Sequence, residues 1–454
     1  MKKALAIIMA FALSLSLAAC GGAASSAPAT SGSTSAPAKA EGKVYFLNFK
    51  PEQDEAYQAI AKEYTEKTGV PVKVVTAASG TYEQTLKSEI AKTDAPTIFQ
   101  INGPVGYAAW KDYCADLSKT EVYGHLIDKS IAISEGDGVY GVPFAIEGYG
   151  IIVNNAIMEK YFALDGAKAK SLDEINSFAK LKAVVEDMTA KKAELGIEGV
   201  FSSTSLAPGE DWRWQTHLAN VPVYYEFSKN NLNLGDSAAT QTIKFEFAEN
   251  YKNIFDLYIN NSVTEKGLLG STSVDDSMAE FALGQSAMVQ NGNWAWGQIN
   301  GVEGNTVKET DLRYLPIYTG VEGEETQGLC SGTENFFCIN KKASEADQKA
   351  SIDFMTWLYT SAEGKAHVTN DLGFIAPFDN FSDSEKPTDP LAKEVLAWAA
   401  KDGIKTVPWN FTVFPSQAFK DKFGADLLQY AQGSMTWDAL TKDVIDTWAA
   451  EKAA

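Results

Sequence analysis

Two carboxylates and a group of tryptophans stand where chemistry could happen. Glu147 sits between two apolar stretches, Gly141-Val142-Pro143-Phe144-Ala145-Ile146 and Ile151-Ile152-Val153. A buried carboxylate is costly without a partner, so Glu147 calls for a ligand or a basic neighbour. Tyr149 shares its stretch. Glu334 lies in Gly332-Thr333-Glu334-Asn335-Phe336. Two carboxylates at a set separation can work as acid and base on a glycosidic bond, or can simply hold hydroxyl groups. Trp294 follows an apolar strand pattern and Gly292, where a helix begins, which is a ligand-facing place in an open α/β sheet. Pro208-Gly209-Glu210-Asp211 is a polar turn opening into Trp212-Arg213-Trp214, with His217 just beyond. Here Arg213 either pairs with Asp211, the simpler expectation, or hydrogen-bonds a hydroxyl. Flat aromatic faces beside paired polar groups suit a ring of hydroxyls with apolar C–H faces.

Other chemistries find less support. Cys114, Cys330 and Cys338 form no C-x-x-C, and His125, His217 and His367 are scattered, so no metal site or cofactor is expected. Cys330 and Cys338 either pair across a turn or pack as small apolar residues. No nucleophile-elbow, zincin or P-loop motif occurs. Gly136-x-Gly138-x-x-Gly141 matches the dinucleotide fingerprint on paper, but it precedes a strand and opens no helix, so it reads as a hairpin-like turn. A net charge of −20 disfavours nucleic acid and anionic membrane surfaces. It also disfavours a strongly anionic solute unless basic groups collect locally.

The elements that position these residues alternate in type. Val44–Leu47, Val72–Val75 and Thr97–Ile101 read as strands. Between them Ala56, Tyr57, Ile60, Ala61 and Tyr64 recur at helical spacing up to Gly69, and Thr81-x-x-Gln84 reads as a capping box. This order predicts an α/β lobe with a largely parallel sheet. Lys50, Glu52, Thr81, Tyr82 and Asn102 each follow a strand end, where ligands collect in such sheets. Further on, residues 242–259 form an amphipathic helical pattern, and Asn293 is placed to cap a helix from Trp294. Trp409, in Val407-Pro408-Trp409-Asn410, is a further candidate.

The start of the chain reads as a targeting segment. Lys2 and Lys3 precede the apolar Ala4 to Leu17, then Leu17-Ala18-Ala19-Cys20-Gly21-Gly22. This resembles a bacterial lipobox, which implies cleavage after residue 19 and a diacylglycerol on Cys20. Residues 21–42 hold Gly, Ala, Ser, Thr and Pro, with only Lys39 and Glu41 charged and no aromatic or large aliphatic side chain, the composition of a flexible tether.

From about residue 43 to its end the chain resembles the family 1 extracellular solute-binding proteins, the maltose-binding type. Three stretches carry the likeness. Tyr140-Gly141-Val142-Pro143-Phe144-Ala145-Ile146-Glu147 leads to Ile152-Val153-Asn154-Asn155, with Asn154 where the family usually has Tyr-Asn or Phe-Asn. Phe281-Ala282-Leu283-Gly284-Gln285-Ser286-Ala287-Met288 continues through Val289-Gln290-Asn291-Gly292-Asn293-Trp294. Finally Phe354-Met355 and Trp357-Leu358 precede Glu363-Gly364 and Gly373-Phe374-Ile375-Ala376-Pro377.

The resemblance implies a two-lobed periplasmic-binding-protein-like fold of type II, with a cleft between lobes joined by crossing strands. Lobe one would be 43–147 with 328–378, and lobe two 148–327 with 379–454. It implies a monomeric, non-enzymatic receptor that hands a carbohydrate, an oligosaccharide rather than a single unit, to the permease of an ABC importer at the outer face of the cytoplasmic membrane. On this likeness Trp294 is the stacking residue and Glu147 binds hydroxyls. Trp212 and Trp214 line the cleft, and Glu334 and Asn335 sit in the second crossing. A polyamine or peptide ligand, or a secreted glycoside hydrolase, are the competing expectations.

Overall fold

The computed structural model describes residues 41–78, 80–232, 239–333 and 335–453. The leader, Cys20, nearly all of the tether, Ser79 and Glu334 therefore lie outside the described residues. The strands are β1 Val44–Asn48, β2 Val72–Thr76, β3 Ile98–Ile101, β4 Ile133–Glu135, β5 Gly138–Pro143 and β6 Glu147–Asn154. They continue with β7 Gly199–Phe201, β8 Ser286–Gly292, β9 Leu312–Leu315, β10 Gln327–Gly332, β11 Phe336–Ile339 and β12 Lys405–Pro408.

These strands build two sheets, one in the order β2-β1-β3-β11-β5-β4 and one in the order β12-β10-β6-β8-β7, with β9 also on β6. The first sheet is parallel only where the alternating pattern predicts it, β1 pairing with β2 and β3. Its other half is antiparallel, because β11 returns against β3 and β5, and β4 folds back on β5. Gly136 of the three-glycine motif, at φ 59°, makes the tight turn of that β4–β5 hairpin, and Gly138 and Gly141 lie on β5.

Apolar periodicity fixes the layers. In the helix Asp54–Thr68, Tyr57, Ile60, Ala61 and Tyr64 are the buried face, and Gly69 ends it at φ 75°, a left-handed cap that a Cβ would disfavour. That face packs with Phe46, Ile98, Phe337, Phe354 and Leu358 in the first core. The second core gathers Val153, Met188, Phe201, Trp214, Tyr258 and Trp448.

The chain crosses from the first sheet to the second between Pro143 and Glu147, and returns between Gly332 and Phe336. The two crossings run side by side, since Gly332 pairs with Glu147 in the antiparallel β10–β6 ladder. The residues after 328, expected to lie in lobe one, belong up to Gly332 to the second sheet.

Three local expectations are corrected. Thr81 makes no side-chain cap; its hydroxyl donates to Ala78 O at 2.8 Å. The helix expected from residue 242 starts at Ala248. Ahead of it the Glu226 carboxylate accepts from the N–H groups of Lys244 and Glu246, and Phe245 between them is held at φ 51°. Asn293 does not cap, because its Oδ1 accepts the Gly148 N–H at 2.8 Å. Of the two readings open for Cys330 and Cys338, the packed one holds: both are free and buried, on strands of different sheets.

Candidate functional site

The candidate residues converge on Glu147. Lys50, just past the end of β1, places its ammonium 2.7 Å from Glu147 Oε1 and 3.3 Å from Glu52 Oε1. Burial works against that charge, but the Glu147 and Glu52 carboxylates outweigh it and hold the Lys50 pKa above its usual range. The same ammonium lies 5.5 Å from the centre of the Trp294 ring, a cation–π distance. One lysine of the first sheet thereby touches the crossing and an aromatic residue of the second.

Trp294 stands after β8 because Gly292 makes room for it. A methyl on Gly292 would fall 2.1 Å from the Trp294 ring. The Gly292 backbone, at φ −110°, would accept any residue, so space is the reason for glycine there. Gly292→Ala should therefore turn the indole away without deleting it, and lower ligand affinity roughly tenfold, with fluorescence of the indole as the check.

Behind Trp294 the rings pack around His217. Its imidazole lies 4.7 Å from the Trp212 ring, 5.7 Å from Trp294, 4.5 Å from Tyr149, 5.9 Å from Trp409 and 4.8 Å from Phe411. Residues Arg213–Leu218 form a wide π-type helical turn. Positions five apart then share a face, which brings the Trp212 ring against His217 at a tilt of 59°. Burial, then the nearby Arg213 charge, pushes the His217 pKa well below its ordinary value and keeps the ring neutral. Tyr149 donates its hydroxyl to His217 O at 2.8 Å.

The other candidates separate. Trp214 is fully buried in the second core and donates its indole N–H to Ser205 O at 2.9 Å, so it is a packing residue away from the cleft. Tyr82 is also structural: its hydroxyl accepts the Gln100 N–H at 2.7 Å. Thr81 hydrogen-bonds locally, and Asn102 precedes the helix Gly103–Trp110 without capping it. Arg213 makes no ion pair with Asp211. Its guanidinium instead stacks 4.0 Å from the centre of the Trp212 ring. Asp211 is buried with Gly424 against it, and burial pushes its carboxyl up to about 7. A carboxyl raised in the fold is stabilised by protonation, so this group makes the protein more stable as pH falls from above 7 towards 4. Asp211→Asn should raise unfolding free energy at pH 8 by about 2 kcal/mol and flatten that rise, read by urea melts across pH.

Two residues in this region were not anticipated. His217 follows a tryptophan pair without any motif to mark it. Gln100 is a polar residue in the apolar run Thr97–Ile101, a signal that was available; its Oε1 accepts the Phe49 N–H at 2.7 Å, next to Lys50. Several buried polar atoms here have no hydrogen-bond partner among the described residues: Gln100 Nε2, Trp294 Nε1, Trp409 Nε1, Arg213 Nε, and both Asn335 Nδ2 and Oδ1. The two sides of the cleft also touch. A methyl on Gly80, before the helix Tyr82–Glu89, would lie 2.9 Å from Gly209 O. A separate groove of about 740 Å³, lined by Asp173, Arg313, Tyr318, Trp398 and Lys401, contains none of these residues.

Two sheets joined by paired crossings, with polar and aromatic side chains between them, define a two-lobed, periplasmic-binding-protein-like fold. The chain belongs to the bacterial extracellular solute-binding proteins, whose family model matches residues 59–395. Solved structures share the fold. A chitin oligosaccharide binding protein is 17% identical, with a TM-score of 0.70 over 91% of this chain and 100% of its own. RafE in complex with raffinose is 17% identical, TM-score 0.66, over 90% and 99%. The sugar transporter BL01359 from Bacillus licheniformis, in complex with stachyose, is 15% identical, TM-score 0.63, over 90% and 100%. A sequence comparison with curated proteins finds no match.

Proposed function

We propose that this protein captures an oligosaccharide between its two lobes and passes it, unchanged, to the permease of an ABC importer. The observation that carries the reading is the set of buried polar atoms on Gln100, Trp294, Trp409, Arg213 and Asn335 that lack a partner among the described residues, beside the half-buried rings of Trp212 and Trp294. Each such atom costs about 1–3 kcal/mol unless a guest supplies its hydrogen bond. A sugar does this with its hydroxyls while its C–H faces meet Trp294 and Trp212. The names of the similar solved structures, a chitin oligosaccharide binding protein and complexes with raffinose and with stachyose, support the same class of ligand.

In this reading Glu147 binds hydroxyls from its ion pair with Lys50, with Tyr149 and Trp409 packed behind, and Glu52 completing the pair. Asn102 and Thr81 belong to the first-lobe rim. A polyamine would need a carboxylate free to meet its charge, whereas Glu147 and Glu52 both engage Lys50. Ligand contacts with both lobes would stabilise the closed form, in which Gly80 meets Gly209. A diacylglycerol on Cys20, with the tether behind it, would hold a monomer at the outer face of the cytoplasmic membrane, close to its permease.

The test is titration of the purified protein with a panel of neutral oligosaccharides, followed by chromatography of the sugar. Micromolar binding with the sugar recovered intact is expected. Recovery of cleaved sugar would make the protein an enzyme and the reading wrong.

A further inference from the structure

We propose that the sugar taken by this cleft carries a carboxylate, as a uronic-acid unit does, and that Arg213 is the residue that recognises it. The inference deepens the reading above and rests on it.

Arg213 is 4% exposed, yet it has no ion pair among the described residues. Its Nη1 makes one long hydrogen bond, 3.5 Å, to Glu210 O, and its Nε has no partner. Among the described residues the acid that acts most strongly on it is Glu210, ahead of Glu52 and Asp275, and the Glu210 Oε2 already accepts the Val274 N–H at 2.7 Å, at the start of the helix Val274–Ala282. Burial pushes the guanidinium down to about 10, the direction expected of a cation short of partners. The contrast with Lys50 is direct: that equally buried cation has two carboxylates within 3.3 Å.

A buried charge is ordinarily paired, and one left alone costs several kcal/mol. The planar guanidinium fork matches a carboxylate with two parallel N–H···O bonds, which a hydroxyl cannot reproduce. One face of the fork already lies on Trp212, so its orientation is fixed and its edge is the part left for a partner. Trp212 in turn lies 5.9 Å from Trp294, ring centre to ring centre. A sugar stacked on these tryptophans would thus present a ring substituent to Arg213. Glu52, the lobe-one acid that Arg213 feels, is held by Lys50 and does not reach it. The acidic surface of the whole chain disfavours an anionic solute at long range, but salt screens that repulsion beyond about 8 Å at physiological ionic strength. The local cation decides.

The experiment is calorimetric titration of the full chain with uronate-containing di- and trisaccharides, each beside its methyl ester and its neutral counterpart. The acid is expected to bind at least tenfold tighter than its ester, with the difference shrinking in high salt. Arg213→Gln should bring the acid down to the affinity of the ester, and Arg213→Lys should recover part of the difference. The comparison of acid with ester in the unaltered protein needs no variant to fold. Equal affinity for acid, ester and neutral sugar would overturn the inference and leave the oligosaccharide reading standing. Binding of no sugar at all, acidic or neutral, would overturn that reading and the inference with it.

Discussion

Replacing Trp294 with alanine is expected to weaken sugar binding about a hundredfold, roughly 3 kcal/mol, while moving the melting temperature little. The indole is the residue that brings three groups together. It lies 5.9 Å from Trp212, 5.7 Å from His217 and 5.5 Å from the Lys50 ammonium. It is only partly buried, and its Nε1 has no hydrogen-bond partner among the described residues. Truncation thus removes a stacking face and a donor together, and takes little from either core. Trp296, two residues on, provides the contrast. It is 9% exposed in a cluster with Ile152, Phe281 and Ile299. Trp296→Ala should cost about 3 kcal/mol of stability and leave the affinity of the folded fraction near that of the parent. Calorimetry and urea melts on the two variants separate these roles. Equal affinity in Trp294→Ala and the parent would remove the stacking assignment.

Glu147→Ala should be the most damaging single change to stability among the cleft residues, at about 3 kcal/mol. Deleting one partner of a buried ion pair strands the other, and that is the expensive event. Lys50 would keep only Glu52, at 3.3 Å, after losing the closer contact at 2.7 Å. The double variant Lys50→Met/Glu147→Ala removes both charges and fills part of the space. It should recover more than half of the lost stability, and equilibrium urea unfolding of the single and double variants measures this. Loss in the double variant equal to the sum of the two single losses would show that the pair is not coupled. Sugar affinity should fall in both, since Glu147 faces the ligand in the proposed site.

Much of the fold was legible because it follows from apolar spacing. Tyr57, Ile60, Ala61 and Tyr64 announce a helix that Gly69 ends, and the run from Phe281 to Trp294 announces a helix, a turn and a strand with a tryptophan at its end. The ends of β1 and β3 were readable as ligand-facing positions, and Lys50 is at one of them. What spacing could not supply was pairing across long sequence separations. Nothing local says that Lys50 meets Glu147, or that Gly80 meets Gly209. The two tryptophans at 212 and 214 lie on opposite sides of a helical turn, so only one can face the cleft. The sequence could show that much, but the choice depends on Tyr258, Phe255 and the carbonyl of Ser205 receiving Trp214 in the core. Arg213 was expected to pair with Asp211, its near neighbour. Residues two apart do not face each other on a helix, and the guanidinium stacks on Trp212 instead. His217 was unmarked because its place depends on the π-type turn, which shifts the register of one face.

The most direct test of the account is a calorimetric titration of the parent protein with oligosaccharides, paired with small-angle scattering of the same samples. A binder of the kind described takes a sugar at micromolar affinity or better, returns it intact, and keeps or adopts the compact form in which Gly80 and Gly209 touch. Binding of spermidine or a peptide with no response to any sugar would contradict the ligand assignment. Sugar recovered in cleaved form would contradict the account at its centre.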